Sequence, residues 1–211
     1  QVVDTQVPSI TCPPNLTNVP MDAGLCYATG VALGTPVTSD NCGVATVTNN
    51  APAQYPLGTT TVTWTVRDNN GLTSTCTQTV QVVDTQAPTI TCPSNLTNVA
   101  PDAGLCYATG VSLGTPVTSD NCAVASVTND APAQFNIGTT TVTWTVTDNA
   151  GLTATCTQTV QVVDTQAPTI TCPSNLAGIP ADAGQCYATG VALGTPVTAD
   201  NCGIVSVTNN A

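Results

Sequence analysis

The sequence predicts an all-β fold, with tandem immunoglobulin-like β-sandwich domains in a linear array, each stapled by disulfides. Three observations carry this expectation. The cysteines recur with a period of 80 residues. The segments between them alternate polar with apolar residues and are dominated by Thr and Val, the period-2 signature of half-buried strands. The 16 Gly and 16 Pro leave no useful segment of helical period.

The repeat is nearly exact. Residues 1–80 and 81–160 differ at fifteen positions and agree at 65 of 80, and residues 161–211 continue the pattern. Such self-similarity marks an array of units that contact mainly their neighbours. A period of 80 exceeds the roughly 20–50 residues of a solenoid turn and suits one small β domain. The units are expected at 5–84 and 85–164, with 1–4 ending a preceding unit and 165–211 forming an incomplete third. That third unit would lack its last strands and leave part of its core uncovered.

Within the first unit, strands are expected over Cys26–Leu33, Val44–Thr48, Thr59–Val66 and Thr73–Val82. Turns are expected at Asp22-Ala23-Gly24, Gly34-Thr35-Pro36, Asp40-Asn41-Cys42-Gly43 and Asp68-Asn69-Asn70-Gly71. About seven short strands bounded by such turns read as an immunoglobulin-like sandwich. The core is lean: aromatics are 3% of the chain. Trp64, Trp144, Tyr27, Tyr107 and Tyr187 are expected to fill it. So small a core needs covalent help, and two disulfides per unit at roughly 3–4 kcal/mol each would supply it.

Charge and composition exclude much chemistry. Twelve acidic residues face a single basic one, Arg67, for a net charge of -11, and there is no His, Lys or Glu. Without imidazole there is no Ser-His-Asp or Cys-His catalysis and no His-bearing zinc site. Without Lys there is no Schiff base, no phosphate-binding P-loop lysine and no Lys–Asn isopeptide brace. One cation cannot neutralise a phosphate backbone, so nucleic acid is not an expected partner. No run of eighteen apolar residues marks a membrane span, and no signal peptide heads the chain, so a leader is expected to have been removed.

The eleven cysteines stand at 12, 26, 42 and 76, at 92, 106, 122 and 156, and at 172, 186 and 202. Four per full repeat at fixed positions, with no CxxC pair, form a disulfide framework and place the chain outside the cell or on its surface. Four cysteines allow three connectivities, among which spacing does not choose.

The run Asp84-Thr85-Gln86-Ala87-Pro88-Thr89-Ile90-Thr91-Cys92-Pro93-Ser94-Asn95, the turn Asp120-Asn121-Cys122, the strand Gly138-Thr139-Thr140-Thr141-Val142-Thr143-Trp144 and the segment Asp148–Cys156 together resemble the hyalin repeat. The resemblance covers the whole chain. It implies an immunoglobulin-like sandwich used extracellularly in adhesion and matrix assembly. It also implies the pairs Cys12–Cys76 and Cys92–Cys156, since many members of the family keep only those two cysteines. The optional pair would then be Cys26–Cys42, Cys106–Cys122 and Cys186–Cys202, and Cys172 would find its partner outside this segment.

The aspartates repeat as strictly as the cysteines. Asp4, Asp84 and Asp164 lie in the linkers, and Asp40, Asp120 and Asp200 precede the third cysteine. Asp68 and Asp148 open a late turn, Asp22, Asp102 and Asp182 sit in another, and Asp130 alone stands out of register. Loops gather at the ends of sandwich domains, so Asp84, Asp120 and Asp148 are expected to converge, with Asn121 or Asn149 adding amide oxygens. Oxygen ligands on turns suit Ca²⁺, which makes Asp4, Asp40, Asp68, Asp84, Asp120, Asp148, Asp164 and Asp200 candidate calcium ligands. The competing reading is that Asp is simply a good turn residue and a solubilising charge. Asn15 and Asn95 head Asn-Leu-Thr sequons and are candidate glycosylation sites, whereas Asn175-Leu176-Ala177 breaks the pattern.

These features predict a non-enzymatic structural segment of a secreted or cell-surface fibre or stalk. Its partners would be other copies of itself, neighbouring repeats, surface glycans or matrix proteins; no cofactor is required, and Ca²⁺ is the one candidate. An adhesion module that reads carbohydrate or protein ligands through its loops is the second expectation, and a passive spacer of a larger secreted enzyme the third. The nearly invariant turns favour structure over recognition. The linker Val83-Asp84-Thr85-Gln86-Ala87-Pro88 holds a Pro and no Gly or Ser run, which suits a stiff joint.

Overall fold

The computed structural model describes residues 3–210. Gln1, Val2 and Ala211, which fall in the expected flanking segments 1–4 and 165–211, lie outside the described residues. The protein is all-β, with no helix among the described residues. The first repeat has eight strands where the sequence suggests about seven: β1 Ser9–Thr11, β2 Leu16–Pro20, β3 Tyr27–Thr29, β4 Val37–Ser39, β5 Val44–Asn49, β6 Gln54–Pro56, β7 Gly58–Asp68 and β8 Thr73–Val83.

One sheet has the order β2-β8-β7-β5, and the pairs β1-β4 and β3-β6 form the other face. The antiparallel β7–β8 pair is the spine, with Trp64 opposite Cys76 and Val62 opposite Gln78. Alternation decides its orientation. Val62, Trp64 and Val66 on β7, and Gln78, Val80 and Val82 on β8, are buried, while the Thr residues between them face outward or lie half-buried. β2 joins β8 in parallel, with an irregularity between Leu16 and Val19. Asn18 sits within it at φ 56°, the left-handed conformation that a bulge requires and that Asn tolerates.

The core of the first repeat gathers Ala28, Tyr55, Val62, Trp64, Val80 and Val82, with Ile10, Cys12, Leu16, Met21 and Cys76 packed against them. The tryptophan is in the core. Tyr27 is not: it is only partly buried, Tyr107 likewise, and Tyr187 is 59% exposed. The alternation of β3 points Ala28 inward instead, and the aromatic that fills the space is Tyr55 of β6.

The second repeat carries β9 Thr89–Thr91, β10 Leu96–Val99, β11 Tyr107–Thr109, β12 Val117–Ser119, β13 Val124–Asn129, β14 Gln134–Asn136, β15 Gly138–Asp148 and β16 Thr153–Val162. Its sheets have the orders β10-β16-β15-β13, β11-β14 and β12-β9. The remaining described residues hold only β17 Thr169–Thr171 and β18 Val197–Ala199, paired antiparallel. Ile170 is 59% exposed there and, with Cys172, Leu193 and Val207, lines an open cleft of about 430 Å³. By contacts the chain divides into two compact units, Gln1–Thr91 with Pro116–Thr128 and Trp144–Cys156, and Cys92–Thr115 with Asn129–Thr143 and Thr157–Ala211.

Cys12 is bonded to Cys76 over a sequence separation of 64, and Cys92 and Cys156 are also disulfide-bonded. The remaining pairs differ from those the resemblance implies. Cys26 bonds Cys122 rather than Cys42, and Cys106 bonds Cys202 rather than Cys122, each across a separation of 96. Cys186 is therefore not joined to Cys202; it, Cys42 and Cys172 are exposed free thiols.

The reason is local. Met21 N donates to Val83 O and Gly24 N to Gln86 Oε1, so the loop holding Cys26 lies against the linker that leaves the repeat. Asn41 Nδ2 donates to Asp4 Oδ1, so the turn holding Cys42 lies against the linker that enters it. The second and third cysteines of one repeat thus belong to different ends. The second cysteine of one repeat and the third of the next share an end, and they bond.

Candidate metal centre

Three turns build the site in the first repeat. Asp4 Oδ1 accepts from Gln6 N at 3.0 Å, Asp40 Oδ2 from Cys42 N at 2.8 Å, and Asp68 Oδ1 from Asn70 N at 2.8 Å and Leu72 N at 2.9 Å. These are the side-chain-to-backbone bonds for which Asp is favoured in turns. Gly71, at φ 96°, lets the last of them close tightly. Each turn consumes one carboxylate oxygen. The other three, Asp4 Oδ2, Asp40 Oδ1 and Asp68 Oδ2, are buried with no hydrogen-bond partner, and the three side chains bring oxygens within 4.8 Å of one another.

The second repeat repeats the arrangement. Asp84 Oδ1 accepts from Gln86 N, Asp120 Oδ2 from Cys122 N and Ala123 N, and Asp148 Oδ1 from Ala150 N and Leu152 N. Asp84 Oδ2, Asp120 Oδ1 and Asp148 Oδ2 are left buried and unpartnered, in a second group within 4.8 Å. Asp68 and Asp148 are 1% and 2% exposed. The turn reading and the cation reading are therefore compatible: each aspartate of the two cages spends one oxygen on its turn and keeps a second, buried oxygen free of hydrogen bonds.

Three like charges so close repel, and buried carboxylate oxygens without donors carry a desolvation cost. A hard divalent cation that takes oxygen ligands from flexible turns answers both, and the donor set of carboxylate and amide oxygens, with no sulfur or imidazole, fits Ca²⁺. In the first cage, the bond from Gln6 N is the main cause holding the Asp4 carboxyl below its ordinary pKa. The Cys42 thiol is pushed above its ordinary value, chiefly through its hydrogen bond with Asp4, with burial and the charges of Asp4, Asp40 and Asp68 adding to it.

The other candidates fall outside the cages. Asp164 and Asp200 hold turns through Gln166 N and Cys202 N but belong to no group of three among the described residues. Asp22, Asp102 and Asp182 each accept from the backbone and hydroxyl of a threonine seven residues on. Asp130, out of register, replaces Asn50 as the acceptor for a strand residue: Thr143 N donates to it as Thr63 N does to Asn50. Of the two expected amide ligands, Asn149 is exposed, whereas Asn121 lies at the second cage, its Nδ2 3.4 Å from Asp84 Oδ1 and its Oδ1 buried without a partner. Asn15 and Asn95 are exposed, with Oδ1 accepting from Thr79 N and Thr159 N.

What sequence reasoning missed is the neighbour of the second cage. Asn121 Nδ2 also donates to Leu25 O at 3.1 Å, and Cys122 beside it is bonded to Cys26. The signal is present only as a constant spacing of 96, which the 80-residue period hides.

A family model described as the HYR domain matches residues 3–82 and 83–162. Hyalin of Lytechinus variegatus is 33% identical over 171 residues, covering 75% of this chain and 31% of the relative. Hyalin of Strongylocentrotus purpuratus is 34% identical over 159 residues, covering 71% of this chain and 13% of the relative. The chain thus spans under a third of the length of the curated relatives it matches. Among solved structures, Drosophila N-cadherin EC1-4 covers 76% of this chain and 50% of its own at 12% identity and a TM-score of 0.41. Human mucin-like protocadherin EC1-2 covers 74% and 98% at 14% identity and a TM-score of 0.38. Scores at this level carry no functional argument.

Proposed function

The chain belongs to the HYR domain family, and from that membership we propose that it is an extracellular structural repeat segment whose first two repeats each hold a calcium ion. The ligands are Asp4, Asp40 and Asp68 in the first repeat and Asp84, Asp120 and Asp148 in the second. One observation carries the reading: in both groups three carboxylates lie close together, and on each of them the oxygen not used by its turn is buried and unpartnered. A bound cation would offset their repulsion and tie each linker to the turns at the domain end.

The work of such a segment is mechanical, within a fibre, stalk or coat at the cell surface, with neighbouring repeats or other copies as partners. Support comes from the disulfide framework, which persists only in oxidising surroundings, and from two repeats that keep 65 of 80 residues and so present nearly the same loops. Thermal unfolding in calcium and in chelator tests the cation reading. Calcium at millimolar concentration is expected to raise the midpoint by several degrees, and an unchanged midpoint sinks it.

A further inference from the structure

The loops closed by the sulfur bridges overlap along the chain. Cys12–Cys76 closes one within the first repeat, at a separation of 64. Cys26–Cys122 and Cys106–Cys202 each close one at a separation of 96. A bridge longer than the 80-residue period has to cross a repeat boundary. Cys26–Cys122 crosses the linker after β8, and Cys106–Cys202 the linker after β16. The first two loops share residues 26–76 and the last two share residues 106–122. Every peptide bond between Cys12 and Cys202 therefore lies inside at least one loop.

The linkers are where this matters. β8 ends at Val83 and β9 begins at Thr89, and between them Thr85, Gln86 and Ala87 are exposed and belong to no strand. Thr165, Gln166 and Ala167 repeat the arrangement between β16 and β17. Exposed segments of this kind are the preferred sites of proteolytic nicking. A bridge confined to one repeat, such as Cys12–Cys76, leaves the linker outside its loop, so that one cut there would part the repeats.

We propose that the Cys26–Cys122 bridge is a second covalent tether across the junction, which keeps the first two repeats joined and able to transmit tension after the linker 84–88 is cut. Hydrolysis of one linker peptide bond consumes one water and leaves a carboxylate and an amine, but both new ends stay on one covalent molecule. Parting then needs a second event of different chemistry, the two-electron reduction of the bridge to two thiols by an external dithiol. The inference deepens the mechanical reading above and rests on it for its purpose, though not for its connectivity.

Trypsin reads the tether directly, because the chain offers it only Arg67, which lies inside the Cys12–Cys76 loop. Thr85→Lys adds one site in the exposed linker. The full-length variant, its free thiols alkylated, is digested to completion and resolved under denaturing conditions. Without reductant it is expected to remain one species, heavier by one water for each bond cut. With dithiothreitol it should fall into fragments 1–67, 68–85 and 86–211. Adding Cys26→Ser with Cys122→Ser should release 86–211 without reductant, and this readout on denatured chains holds whether or not that variant folds. Held by its two ends under tension, the cut Thr85→Lys chain should part only when reductant is added. Release of 86–211 from the unreduced Thr85→Lys chain overturns the proposal, as does its retention in the serine pair. Either result removes the tether alone, whereas labelling that finds the chain on no fibre, stalk or coat removes the mechanical reading and leaves the connectivity standing.

Discussion

Trp64 Nε1 donates a 3.1 Å hydrogen bond to Gln78 Oε1 inside the core of the first repeat, where Gln78 is fully buried. The glutamine's Nε2 donates onward to Pro14 O at 2.7 Å and Leu33 O at 3.0 Å. One side chain thus ties the β7–β8 sheet to loops on the facing layer. Gln78→Leu would keep the volume but strand an indole N–H and two carbonyls, each costing on the order of 1–3 kcal/mol if left unpaired. We expect a loss of about 3–5 kcal/mol in urea unfolding. A loss below about 1 kcal/mol would mean that water or a rearranged loop takes over all three bonds.

Gln78 also shows how far the sequence could be read. The period-2 pattern placed β7 and β8 correctly because Val62, Trp64, Val66, Val80 and Val82 alternate with Thr and are buried. The same parity puts Gln78 on the inward face, a polar residue among valines, which is the mark of a buried hydrogen-bond hub. Convergence of Asp84, Asp120 and Asp148 was legible because linkers and loops of a sandwich meet at domain ends. The second cysteine's partner was not, because nothing in an 80-residue repeat says which end of the domain a loop occupies. Hydrogen bonds from Met21 and Gly24 to the exit linker decide that, and they are tertiary.

Peptide mapping of the unreduced, thiol-blocked chain should recover Cys12 linked to Cys76, Cys26 to Cys122 and Cys106 to Cys202, with Cys42, Cys172 and Cys186 alkylated. A Cys26–Cys42 peptide would contradict the fold at the domain ends. Removing the first bridge as Cys12→Ala with Cys76→Ala should cost about 4 kcal/mol, the loop-entropy value for a separation of 64.

Tyr55 gives the two repeats different alkaline behaviour. Burial raises its phenol above the ordinary value of 10.0, whereas the second repeat has Phe135 at the same place, 3% exposed as Tyr55 is. Below the ordinary value the phenol is protonated in both folded and unfolded chains and costs nothing. As pH rises past it the unfolded chain releases its proton first, so stability falls until the folded value is reached. Urea unfolding of the alkylated chain from about pH 8 to 11 should show this decline, and Tyr55→Phe should flatten it. Identical slopes for the two proteins would show that other groups govern the alkaline limit.

Asp148 offers a test in which the sign of the effect changes. Its Oδ1 accepts from Ala150 N and Leu152 N, both at 2.8 Å, while Oδ2 is unpartnered among Asp84 and Asp120. Asp148→Asn keeps an acceptor for the turn and removes one charge from the cage. In chelator, relief of repulsion between carboxylates within 4.8 Å should raise stability, by on the order of 1 kcal/mol after solvent screening. In calcium the same substitution deletes a ligand. A cation at a hundred times its dissociation constant contributes about 2.7 kcal/mol, so the variant should then be the less stable protein. Melting curves in the two buffers should therefore cross in order, wild type below the variant in chelator and above it in calcium. The same order in both buffers would mean that Asp148 serves its turn and nothing more.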